Sequence, residues 1–108
     1  MTNAQLEAIL KEHKLWLNDK NDGKRADLSG VDLSYRTLRN VDLSYAILAD
    51  ADLNHAVLTN TDLSYAILTR ANLRSTVLRG TILCDTILDK ADLSGAKGLL
   101  FAVDFLEQ

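Results

Sequence analysis

From Arg25 to Gly98 the chain reads RADLSG VDLSYRTLRN VDLSYAILAD ADLNHAVLTN TDLSYAILTR ANLRSTVLRG TILCDTILDK ADLSGAKG, and a leucine returns at every fifth residue from Leu28 to Leu93. A period of five fits neither regular element. Five residues advance an α-helix by about 500°, so the leucines would spiral around it; five is odd, so on an unbroken strand they would alternate faces. They share one interior only if the chain turns a corner in every repeat.

The neighbours of each leucine support that reading. Two residues before it stand Ala26, Val31, Val41, Ala46, Ala51, Ala56, Thr61, Ala66, Ala71, Thr76, Thr81, Thr86 and Ala91, as a second, cramped inward position requires; Arg36 is the exception. Two residues after it, Gly30, Asn40, Asp50, Asn60, Gly80, Asp85 and Gly95 tolerate left-handed backbone, which places the corners there. The outward residue just before it repeats at intervals of twenty: Ile47, Ile67 and Ile87; Val57 and Val77; Asp32, Asp52 and Asp92 with Asn72 in the gap; Asp42 and Asp62. Four repeats therefore make one coil. Coils stacked at strand spacing, about 4.8 Å, give a column on the order of 17 Å long.

The runs Ala26-Asp27-Leu28-Ser29-Gly30, Val41-Asp42-Leu43-Ser44-Tyr45, Ala51-Asp52-Leu53-Asn54-His55 and Ala91-Asp92-Leu93-Ser94-Gly95 resemble the A(D/N)LXX consensus of pentapeptide-repeat proteins. The resemblance implies an all-β solenoid, a right-handed quadrilateral β-helix of about 3.5 coils, here with an N-terminal α-helical cap. It implies no shared catalytic residues and no cofactor. The family is functionally diverse, and some members imitate B-form DNA in shape and charge and act on DNA gyrase.

Composition bounds the alternatives. A chain of 108 residues is one domain, and with 47% hydrophobic residues and no proline it is not disordered by composition. It has no long apolar run and no secretory leader pattern, so a soluble, cytoplasmic protein without membrane contact is expected. The single Cys84 cannot form an internal disulfide. A net charge of −3 argues against a generic basic nucleic-acid binder, and no direct nucleic-acid binding is expected.

In chain order, residues 1–24 form a capping helix and linker, 25–98 the repeat column, and 99–108 an apolar end segment. Thr2 and Gln5 have capping-box spacing, and Leu6, Ile9, Leu10, His13, Trp16 and Leu17 share one helical face. Solenoid ends expose interior and unpaired edges, and this helix is expected to cover one of them rather than dock a membrane or partner. Arg36 is expected to turn outward or escape at the column end, pairing with Glu12, Asp19 or Asp22, because an unpaired buried guanidinium is costly. At the other end, Leu99, Leu100, Phe101, Phe105 and Leu106 either fold over the last coil or pair with a second copy; the resemblance supports a homodimer through that end.

The candidate interaction surface comprises Asp32, Asp42, Asp52, Asp62, Tyr45 and Tyr65, with Arg70, Arg74 and Arg79 as a basic collar on three successive faces. The aspartates either accept hydrogen bonds from corner amides or form acidic strips that imitate phosphate rows, and the first reading is preferred. His13, His55 and Cys84 lack metal spacing, and no nucleophile has a base within reach, so neither metal, cofactor nor enzymatic activity is expected. Two functions remain: a rigid structural or protein-interaction module of unknown partner, or a DNA-mimic modulator of gyrase. Self-assembly is a third.

Overall fold

Residues 1–99 of the computed structural model are described here. Parallel one-residue bridges join Asp27 to Ile47, Ile47 to Ile67 and Ile67 to Ile87, and likewise Thr37 to Val57, Asp42 to Asp62 and Asp52 to Asn72. Every step is one coil of twenty residues. Each repeat ends in a β-turn closed onto the leucine carbonyl, as in Val31 N–H to Leu28 at 3.1 Å and Ala51 N–H to Leu48 at 3.1 Å. Four turns per coil give a four-sided solenoid. The sides pair in parallel register, but a corner interrupts pairing after every bridge, so among the described residues no side becomes a continuous strand.

The corner residue is the one two after each leucine, and it adopts positive φ whether or not it is glycine. Tyr35, Asn40, Tyr45, Asp50, His55, Asn60, Tyr65, Arg70, Ser75, Asp85 and Lys90 all have φ between 53° and 64°. Only there does the chain reverse tightly enough to return its leucines to one interior. Leu28, Leu33, Leu43, Leu48, Leu53, Leu58, Leu63, Leu68, Leu73, Leu78 and Leu83 are at most 1% exposed, and Ala26, Ala46, Ala51, Ala56, Ala66 and Ala71 fill the space beside them. The buried threonines also bind. The hydroxyls of Thr61, Thr81 and Thr86 each donate, at 2.6 Å, to the carbonyls of Leu38, Leu58 and Leu63 in the preceding coil.

Helix α1 spans Asn3–Asn18. Its capping box is present: Gln5 N–H donates to Thr2 Oγ1 and Thr2 N–H to Gln5 Oε1. Leu6 is buried in the same cluster as the column leucines, with Ile9 and Leu10 packed beside it. His13 ties the helix to the first coil from both ring nitrogens. Ala26 N–H donates to Nδ1 at 2.9 Å, so Nδ1 must be unprotonated, and Nε2, carrying the proton, faces the Ser44 carbonyl at 2.9 Å. The ring is fully buried and stacks on Trp16.

Arg36 leaves its inward slot, as expected, but toward different partners. Its Nη1 donates to Asn3 Oδ1 at 2.8 Å and its Nη2 to the Met1 carbonyl, so the guanidinium ties down the start of α1 rather than meeting Glu12, Asp19 or Asp22. The reason is positional: α1 begins above this corner and ends away from it.

The His13 geometry sets a pH dependence. Burial, the largest influence, holds its pKa below the usual histidine range, reinforced by Arg25 and Lys20 and opposed by the Ser44 carbonyl and Asp42. A lowered folded-state value means that the unfolded chain binds a proton the folded chain refuses. Stability is therefore complete above about pH 6.5 and declines as pH falls from there toward the lowered value. Thermal melts between pH 7.5 and pH 5 should show this loss in the wild type and a flatter profile in His13→Gln. Parallel profiles would mean that the ring does not clamp the helix.

Candidate functional site

With the core closed, the exterior is the place for function, and its chemistry follows from the twenty-residue register. The outward position before each leucine builds four faces: Asp27, Ile47, Ile67 and Ile87; Asp32, Asp52, Asn72 and Asp92; Thr37, Val57, Val77 and Lys97; Asp42, Asp62 and Ile82. The corners between them carry columns of their own. Gly30, Asp50, Arg70 and Lys90 separate the isoleucine face from the aspartate face; Tyr35, His55, Ser75 and Gly95 follow; then Asn40, Asn60 and Gly80; then Tyr45, Tyr65 and Asp85.

The aspartates serve the backbone first. Asp32, Asp42, Asp52 and Asp62 each accept, through Oδ1, the N–H two residues on, at 2.9 to 3.0 Å from Ser34, Ser44, Asn54 and Ser64. Asn72 does the same for Arg74 at 3.0 Å. The amide concerned is the only one in the repeat that neither turn nor neighbouring coil satisfies. Bonds from the Ser29, Ser34 and Ser94 hydroxyls, then from their amides, hold Asp27, Asp32 and Asp92 below the usual carboxylate range.

The expected basic collar does not stand free. Arg70 forms a two-pronged ion pair with Asp50 one coil earlier, at 2.8 and 3.0 Å, and Arg74 lies 3.5 Å from Asp92. The pairing lowers the Asp50 pKa and raises that of Arg70. Arg70, Arg74 and Arg79 thus sit around the column on separate sides, and the proposed aspartates divide between two faces. The structure does not bring them to a single patch.

The tyrosines are brought together. Tyr45 and Tyr65 stack with centroids 4.9 Å apart and planes 6° from parallel, and Trp16 meets Tyr45 edge-on at 6.4 Å. Lys20 Nζ lies 3.9 Å from the Trp16 ring centre. On the diagonal corner Tyr35 and His55 stack at 4.7 Å and 3°. Tyr35 is 70% exposed, the most open large apolar side chain among the described residues. Tyr35, His55 and the isoleucine column were not singled out from sequence as a surface, although the twenty-residue register that aligns the aspartates aligns them too. Of the end segment, Leu99 packs against the core, while Leu100, Phe101, Phe105 and Leu106 lie outside the described residues.

Among the described residues, two open grooves flank α1. The larger, about 650 Å³, runs between α1 and the first coil and is lined by Asn3, Leu6, Glu7, Leu10, Arg36 and Val41 among others. Among the described residues no group of His, Cys, Asp or Glu is placed to hold a metal ion, and no helix is long and apolar enough to cross a membrane.

The comparisons agree with this geometry. The family model for pentapeptide repeats matches residues 37–74 and 66–97, with eight copies. A crystal structure of a pentapeptide-repeat protein from Nostoc PCC 7120 is 38% identical, with a TM-score of 0.67, covering 81% of this chain and 72% of that one. HetL, a pentapeptide-repeat protein involved in heterocyst differentiation regulation in Nostoc sp. strain PCC 7120, is 32% identical with a TM-score of 0.36, covering 74% of this chain and 44% of that one. A pentapeptide-repeat protein from Cyanothece 51142 is 36% identical with a TM-score of 0.34, covering 65% of this chain and 48% of that one. This chain therefore spans less than half the length of the latter two. No curated protein matches it.

The backbone role of the aspartates can be tested by paired substitutions. Asp62→Asn keeps an acceptor, as Asn72 does naturally, and should leave stability nearly unchanged. Asp62→Ala leaves the Ser64 amide without its partner and should cost about 1 kcal/mol in denaturant unfolding. Equal losses for both would show that charge, not the hydrogen bond, matters at this position.

Proposed function

The chain belongs to the pentapeptide-repeat family, and from that premise we propose that it is a rigid, non-enzymatic module read by a protein partner. The supporting observation is the pair of stacked aromatic corners, Tyr35 with His55 and Tyr45 with Tyr65. Aromatic anchors contribute most to interfaces when they are already ordered, because little side-chain freedom is then lost on binding. Here each ring is held by its stacked neighbour and by a backbone fixed in the left-handed region. Such corners present large apolar area at low entropic cost.

Mimicry of DNA toward gyrase would require acidic groups along the whole axis. Asn72 and Ile82 interrupt both aspartate columns, and Arg70 and Arg74 lie beside acids they neutralise. The right-handed winding over roughly three and a half coils and the cytoplasmic location belong to the same proposal, carried from the family and the sequence.

Two experiments test it. Affinity capture from the source organism should retain a protein that is lost with Tyr35→Ser plus His55→Ser or with Tyr45→Ser plus Tyr65→Ser, while melting stays near that of the wild type. Capture indifferent to both variants would contradict the aromatic-corner reading. In a supercoiling assay with bacterial gyrase, excess protein should have no effect; inhibition lost in Asp42→Asn, Asp52→Asn, Asp62→Asn would establish mimicry instead.

A further inference from the structure

The four faces differ in what water can do with them. Two carry aspartates along their length, and one is closed below by Lys97; the remaining face begins at Asp27 and then runs through Ile47, Ile67 and Ile87, with Tyr45 and Tyr65 along its edge. Tyr45, Tyr65 and Ile87 are 41%, 47% and 44% exposed, and Ile47 and Ile67 lie half-buried between them. From Ile47 to Ile87 this is a contiguous apolar strip, with the exposed carboxylate of Asp27 at its head. Its edges are charged in a definite order. Arg25 stands one coil above Tyr45, donating from Nε to the Tyr45 carbonyl, and Asp85 stands one coil below Tyr65, where its carboxylate raises the Tyr65 pKa. On the opposite edge Asp50 and Arg70 form their ion pair.

We propose that this face binds the same face of a second copy, with the two columns antiparallel about a two-fold axis. The register supplies the argument. A two-fold axis in the plane of the face and across the column, passing midway between Ile47 and Ile67, exchanges adjacent coils. Ile47 then meets the partner's Ile67, Tyr45 meets the partner's Tyr65, and at each end of the strip Ile87 lies opposite the partner's Asp27. On one edge Asp50 faces the partner's Arg70; on the other Arg25 faces the partner's Asp85. Each contact occurs twice, as a two-fold interface requires.

The internal pairings do not compete with these contacts. The two Asp50–Arg70 pairs join into a ring of alternating charge, the Nη nitrogens of Arg25 remain beyond its Nε bond, and a carboxylate has more than one acceptor site for Asp85 to offer. Parallel columns would instead set Tyr45 against the partner's Asp50 and Tyr65 against the partner's Arg70, meeting charges with rings. The antiparallel arrangement alone gives complementarity at both edges.

The apolar strip is small, two coil spacings from Ile47 to Ile87 or roughly 10 Å, so the contact is below the size of standard stable interfaces and belongs with weak, reversible ones. The proposal rests on the interaction-module reading and names the occupant of one tyrosine corner. It leaves the diagonal Tyr35–His55 corner outward on both copies, available to a different protein.

Sedimentation equilibrium of the full chain, from micromolar to about millimolar concentration, tests it. A reversible monomer–dimer equilibrium is expected, weakened by roughly tenfold or more in Asp50→Arg, where like charges meet across the axis. Asp50→Arg combined with Arg70→Asp should restore it; both positions share the same left-handed backbone, so the exchange is mild for the fold. Ile67→Lys should weaken association similarly, with thermal melts confirming folded protein. A monomer throughout the range, or a dimer indifferent to Asp50→Arg and Ile67→Lys, would overturn the proposal. Either result leaves the Tyr35–His55 capture experiment to decide the module reading separately.

Discussion

One left-handed residue in every five is the constraint on which the rest of this structure depends. Eleven non-glycine residues accept it, from Tyr35 to Lys90, although such backbone costs an L-residue roughly 1–2 kcal/mol. What offsets the cost is local and repeated. Each corner closes a hydrogen bond to its leucine carbonyl, seats that leucine in the core, and aligns the next side with the coils above and below. If a corner failed, its leucine would lose the interior and its side would lose two neighbours.

Backbone accounting explains the rest of the repeat. The leucine amide and the corner amide donate to the following coil, the outward residue's amide to the preceding coil, and the next inward amide closes the turn: Leu48 to Ile67, Asp50 to Thr69, Ile47 to Ala26, Ala51 to Leu48. The residue after the leucine is left over. An aspartate or asparagine before the leucine supplies its acceptor, which is why acids recur on two faces without forming a binding strip. Where Ile47, Val57 and Ile67 stand instead, the amides of Ala49, Thr59 and Thr69 have no such acceptor and the face becomes apolar. Surface chemistry is thus coupled to backbone satisfaction, and the same choice that leaves Ala49 and Thr69 amides unbonded creates the isoleucine column.

The repeat made most of the fold legible in the sequence. A fixed interval of five located the core, the small inward residues and the corners, and an interval of twenty located the coils, because a solenoid converts sequence distance directly into spatial neighbourhood. Features that join different parts of the chain were not legible. His13 stood on the apolar side of α1, yet nothing in its spacing showed that Ala26 and Ser44 would meet its two nitrogens. Arg36 was recognisable as a misfit, but its partners depended on where α1 begins. The candidate surface was read as a list of charges and tyrosines; the twenty-residue register, applied to Tyr35 and His55 as well, would have separated the paired arginines from the stacked aromatic corners.

The most direct test of this account is residue-by-residue amide hydrogen exchange in the intact protein. Leu48, Leu58 and Leu68 donate to the next coil at 2.7, 2.9 and 2.8 Å, while the adjacent amides of Ala49, Thr59 and Thr69 have no acceptor. Exchange should therefore be slow at the column leucines and fast at Ala49, Thr59 and Thr69, with Ser44, Asn54 and Ser64 in between because aspartate side chains hold their amides, and the middle coil should be the slowest. Uniform exchange across each repeat, or protection that ignores the five-residue interval, would contradict the claim that corners and inter-coil bonds hold the column together.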